Sequence, residues 1–143
     1  MNTTNSPAPD QPVKLQFAFP VTMSPGSSGR KASVMAHQLV TEGGRVADAR
    51  KAHELITSMV DRTTVRWSDL SRLDKLLPGT ISIASAMCGV DDSVLKRACN
   101  DGGVDTAPFI YLLGMELEQL LIAKIGRFKA MRRIMSAVMR GVA

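Results

Sequence analysis

Residues 105–140 read DTAPFIYLLGMELEQLLIAKIGRFKAMRRIMSAVMR, and the architecture of the chain turns on them. Asp105 or Thr106 can cap the free N–H groups of a first turn, and Pro108 sits where a helix loses no donor. Beyond it the pattern predicts one uninterrupted helix to Arg140, roughly 50 Å long at about 1.5 Å per residue. Leu113, Leu117, Leu121, Ile125, Phe128, Met131, Met135 and Val138 advance by threes and fours, which makes one continuous apolar stripe. Met131, Met135 and Met139 form an adaptable row suited to an interface of variable shape. Gly114 and Gly126 weaken the helix slightly and permit close helix approach. A helix longer than a small domain is wide must project, pair with a copy of itself or lie along a partner. The stripe is therefore expected to be an oligomer seam. A helical homo-oligomer is the leading expectation, a second protein subunit comes next, and an anionic membrane surface is the least favoured.

Charge follows the same division. The chain of 143 residues carries a net charge of +5. From Ala107 onward six Lys or Arg face two Glu, whereas the first 106 residues hold twelve basic and eleven acidic groups. Lys124, Arg127, Lys129, Arg132 and Arg133 make the end of the helix basic, which points to nucleic acid or another acidic partner. Acidic early and basic late also suits the helix dipole.

Upstream, residues 1–12 are polar and proline-bearing and are expected to form a disordered leader. Val13, Leu15, Phe17 and Phe19 then alternate with Lys14, Gln16 and Ala18, the period of a short strand with one buried face. Such a strand must pair across a dimer, join a partner's sheet or dock on a helical body. A ribbon–helix–helix arrangement, with Lys14, Gln16 and Ala18 facing DNA, is a minor alternative. Ser24 to Ser28 reads as a loop, and helices are expected over residues 29–41 and 46–61, broken at Gly43-Gly44. Thr63 to Arg66 is a connector with β preference. Ser68, Thr80 and Asp91 can each cap a short helix, ending at Pro78-Gly79, Gly89 and Gly102-Gly103. The fold class is mainly α: a leader over 1–12, a helical body over 13–104 and a long basic amphipathic helix over 105–143.

Within that body, residues 69–101 fit a helix–turn–helix unit. Ser85 is the small residue of its first helix, and Gly89 lies at its turn. In the second helix Ser93, Lys96, Arg97 and Asn100 are the candidate DNA contacts, although Asp91 and Asp92 at its start would repel phosphate. The run Ala84-Ser85-Ala86-Met87, followed by Gly89-Val90-Asp91-Asp92, resembles a stretch of the small flagellar master-activator subunit family. Members of that family form one half of a heteromeric transcription activator. The resemblance is confined to these residues. It implies a regulator subunit and carries over no functional residue.

Catalysis has little support. His37 and His53 have no local partner that would make a nucleophile–base pair or a metal site, and no glycine loop is shaped for phosphate. No cofactor or metal is expected. Cys88 and Cys99 read as reduced, buried thiols, and the chain shows neither a signal peptide nor an eighteen-residue apolar segment, so a cytoplasmic location is expected. The leading expectation is a small DNA-binding regulator or regulator subunit that oligomerises through its C-terminal helix. The alternative is a non-enzymatic adaptor or structural subunit of a larger assembly, with no nucleic acid involved.

Overall fold

A computed structural model describes residues 11–17 and 25–140. The expected disorder of residues 1–10 lies outside it, as do Ala18 and Phe19. The chain is mainly helical: α1 (Pro25–Glu42), α2 (Val46–Val60), α3 (Trp67–Leu76), α4 (Thr80–Cys88), α5 (Asp92–Asn100), α6 (Thr106–Ile125) and α7 (Arg127–Met139). The loop expected to reach Ser28 ends earlier, because α1 already begins at Pro25, a residue suited to a first helical turn.

The predicted single helix over 108–140 is two helices. Gly126 adopts φ 86° and ψ 152°, a conformation open in practice only to glycine, and the chain turns there. α6 becomes the centre of the body, packed against α1, α2 and α4, while α7 folds onto α1 and α6. Phe109, Ile110, Leu113, Leu117 and Leu121 have no exposed surface at all. Gly114 lets α1 come close: a Cβ there would stand 3.4 Å from the backbone nitrogen of Ala32. Val34, Met35, Ile56, Met59, Leu70, Leu73 and Leu95 close the core around α6. By length and composition α6 would suffice to cross a membrane, contrary to the expectation that no segment is apolar enough. Here Phe109, Ile110, Leu113, Leu117 and Leu121 are buried in the helical body, while Met115 is exposed.

No strand forms among the described residues. Residues 12–17 form neither helix nor strand, and Val13 and Leu15 bond to the turn between α5 and α6. The Val13 N–H donates to Asp101 Oδ2 at 2.9 Å, and the Leu15 N–H donates to the Gly103 carbonyl at 2.8 Å. Val13 and Leu15 are buried while Lys14 and Gln16 are exposed, so the period-two pattern records docking on helices and not pairing with a strand. Gly103 is required for this seat, since a Cβ there would overlap the Val13 carbonyl oxygen. The β preference of the 63–66 connector is expressed in a single antiparallel bridge, Thr64 to Asp105. It is flanked by Val65 N–H to Val104 O at 2.9 Å and Thr106 N–H to Thr63 O at 3.0 Å.

Capping follows the sequence at α5, where Asp91 accepts from the Val94 N–H at 2.9 Å. At α4 it does not. Thr80 lies inside the helix, with its hydroxyl donating to Leu77 O at 2.6 Å, and Asp74 accepts from the Ile81 N–H at 3.0 Å instead. α3 begins at Trp67, one residue before the expected cap Ser68. Its buried Asp69 is satisfied by two guanidinium groups, Arg62 Nε at 3.2 Å and Arg72 Nη2 at 3.0 Å. A carboxylate withdrawn from water persists only with such partners.

Candidate docking surface

α7 has two apolar faces. Ala130 and Ala137, both fully buried, are seven residues apart on the inner face, and half-buried Ile134 lies between them. Their small side chains let α7 lie close on the body formed by α1 and α6, and Arg133 ties it to α1 through an ion pair with Glu42. On the outer face Phe128 is 76% exposed, Met131 43%, Met135 60%, Val138 51% and Met139 83%. These five side chains span an arc of about 100° at about 100° per residue, a stripe one helix wide. Phe128, Met131, Met135 and Met139 border an open groove of about 690 Å³, and Val138 lines a neighbouring depression facing α1. Arg132 stands at its rim with its guanidinium 5.7 Å from the centre of the Phe128 ring, a cation–π contact that holds the charge beside the apolar row. Arg140 donates to Ser136 Oγ at 2.6 Å further along.

The residues expected to form an oligomer seam thus divide. Leu113, Leu117 and Leu121 are buried within the chain's own core, and Ile125 is half-buried against it. Phe128, Met131, Met135 and Val138 remain open, and Met139 belongs with them.

The expected DNA contacts fall in two sets, one on α5, which rests on α3 and α4, and one at the end of α6 and along α7, which rests on α1 and α6. On α5, Ser93 donates to Asp91 Oδ1 at 2.7 Å and Lys96 lies 6.0 Å from the Trp67 ring centre. Arg97 reaches back, with Nη2 donating to the Gln11 carbonyl at 2.7 Å and Nε 3.8 Å from Asp101 Oδ2. Asn100 is exposed. The two carboxylates at the start of α5 both have structural work: Asp91 caps, and Asp92 accepts from Ser85 Oγ at 2.5 Å. The Ser93 hydroxyl and the Val94 N–H hold the Asp91 carboxyl below its ordinary range. In the second set Lys124, Arg127, Lys129 and Arg132 are exposed, whereas Arg133 is engaged by Glu42.

Of the two thiols expected to be buried, Cys99 is buried and Cys88 only half-buried. Burial pushes Cys88 up to about 11, and burial with the neighbouring Cys88 pushes Cys99 up to about 12. Both are therefore protonated and poorly nucleophilic near neutrality. Among the described residues no three His, Cys, Asp or Glu side chains gather into a metal-sized cluster.

His37 sits where α1, α2 and α7 meet. Its ring is edge-on to His53 with centroids 6.3 Å apart, and its buried Nδ1 has no hydrogen-bond partner. Burial, then the charges of His53, Arg50 and Arg140, lower its pKa from 6.5. Glu42 shares that polar pocket with Arg133 and Arg140. As pH falls through 6.5 the unfolded chain takes up this proton before the native one does. The associated stability is present above that value and is lost towards the depressed native pKa. The melting temperature should therefore fall between about pH 7 and pH 5, and less steeply for His37→Gln. Parallel pH profiles for the two proteins would show that His37 is not the group responsible.

No protein-family model matches the chain, and neither a curated protein nor a solved structure matches it.

Proposed function

We propose that the chain is a non-enzymatic adaptor, a subunit that joins a larger protein assembly through α7. One observation carries this reading: Phe128, Met131, Met135 and Met139 stand exposed on a helix whose opposite face is already docked. A contiguous apolar row on an otherwise well-packed body favours an interaction site over a solvated face. Methionine suits it, because its flexible thioether adapts to a partner's relief.

The test is photocrosslinking in cells that encode the chain, with a benzophenone amino acid at position 135 or, as a control, at the exposed Lys75 on α3. Discrete protein adducts from position 135 and none from position 75 are expected. Equal adducts, or none from position 135, would overturn the reading.

A DNA-binding regulator is the second reading. It is favoured by exposed Lys96 and Asn100 on α5 beside the turn at Gly89, and by the exposed cations Lys124, Arg127, Lys129 and Arg132. Recovery of sheared genomic DNA on the purified protein separates the two. A sequence motif that survives a high-salt wash would establish the regulator, since purely electrostatic binding is stripped by salt. The adaptor reading expects recovery that is uniform in sequence and lost in that wash.

A further inference from the structure

Resting on the adaptor reading, we infer that the α7 groove receives an acidic amphipathic α-helix from a partner protein. The apolar row advances by three, four and four from Phe128 to Met139 and extends about 16 Å along the helix axis. A row of that spacing presents the ridge that another helix's i, i+3, i+7 side chains pack against. The stripe is too narrow for a broad sheet surface and fits one helix.

The charge pattern selects the occupant. After Glu118 the chain has no carboxylate side chain, while Lys124, Arg127, Lys129, Arg132, Arg133 and Arg140 follow. Among the described residues, Arg133 is the one α7 cation paired with a carboxylate, Glu42. Of the others, Arg132 and Arg140 line the groove itself, and neither has a carboxylate partner among the described residues, so an acidic occupant complements them. A second copy would bring its own Arg132 and Arg140 to the same apolar seam, and like charges across an interface are repelled. A bilayer surface would match the cations. Interfacial helices, however, anchor with Trp, Phe and Leu, and three of the five outward apolar residues here are methionines. Nucleic acid would satisfy the cations but leave the apolar row in water. An acidic helix satisfies both.

The probe is a displayed library of helical peptides about four turns long, randomised at all surface positions and selected on the full chain. Enriched peptides should be net acidic, with apolar residues at i, i+3 or i+4, and i+7. Enrichment should drop about tenfold against Met135→Glu, a loss typical of one central interface residue, and should weaken as salt rises. Arg127→Glu with Arg132→Glu should shift selection towards neutral or basic helices, a response that mere loss of folding cannot produce. Circular dichroism confirms that each variant is folded. Four results would overturn the inference: no enrichment, enrichment indifferent to charge or to Met135→Glu, capture by phosphatidylserine vesicles without any helix selected, or concentration-dependent dimers dispersed by Met135→Glu. If position 135 still crosslinks protein in cells while the library fails, the adaptor reading stands and this occupant falls. If the crosslinks fail as well, both fall.

Discussion

Leu117→Ala should lower the unfolding free energy by about 3 kcal/mol, within the range for emptying a fully buried leucine site. Leu117 has no exposed surface and lies in the middle of α6, the helix that α1, α2 and α4 all touch. Its removal leaves a cavity that these neighbours, held by Gly114 against Ala32 and by the 2.9 Å Lys31–Glu118 ion pair, cannot readily fill. For a chain of this size the melting temperature should drop by roughly 10 °C. The form of the loss matters as much as its size. A core leucine gives the same loss at every protein concentration, whereas a leucine in a seam between copies gives a loss that shrinks as concentration rises. Thermal unfolding across a wide dilution series distinguishes them. A concentration-dependent midpoint would return Leu117 to an oligomer interface.

Gly126→Ala should cost about 1–3 kcal/mol, the range for forcing a side chain into a backbone conformation reserved for glycine. At φ 86° and ψ 152° an alanine is strained even though nothing lies within 4 Å of its Cβ. The chain can relieve that strain by taking helical angles at residue 126 and running α6 straight into α7. Doing so would expose the buried Ala130 and Ala137 and break the Arg133–Glu42 pair. Trypsin should then cut faster at Arg127, Lys129, Arg132 and Arg133, and hydrogen exchange in α7 should rise. A variant as stable and as protected as the parent would mean that the turn at Gly126 does not hold α7 in place.

These two positions mark where the sequence was legible and where it was not. The apolar spacing of residues 113–138 marks a buried face only as far as Leu121, with Ile125 half-buried and Phe128, Met131, Met135 and Val138 exposed, and a periodicity does not say what buries a face. Its first half is covered by α1, a contact between residues far apart in the chain. A local signal was available: Ile110, Leu112, Leu113, Leu120, Leu121 and Ile122 make α6 apolar nearly all round, the mark of a central helix and not of a surface one. Gly126 lies in the middle of the stripe, and helix propensity prices it as a small defect. The packing of α7 back on α1 and α6 goes with its positive φ. Val13 and Leu15 were identified as one buried face, but alternation alone does not separate pairing with a strand from lying on helices. The cap at Asp91 was legible because its acceptor and donor are three residues apart. The Asp74 cap on α4 acts across a turn, and the Asp69 cluster needs Arg62 from outside α3, so neither shows in local spacing. Of the candidate site, Phe128, Met131, Met135 and Val138 were read as an interface stripe, and the structure leaves these four open while closing the leucines before them.

The claim that the outer face of α7 stands uncovered and available can be measured by methionine oxidation of the purified protein, followed residue by residue in a mass spectrometer. Peroxide should convert Met135 and Met139 quickly, Met131 more slowly, and Met35 and Met59, each 1% exposed, only at the rate of unfolding. These rates should not change with protein concentration. Slow oxidation of Met135 and Met139, or protection that grows as the protein is concentrated, would mean that the chain or its own copy already covers the groove, and the account of α7 as a docking helix would be wrong.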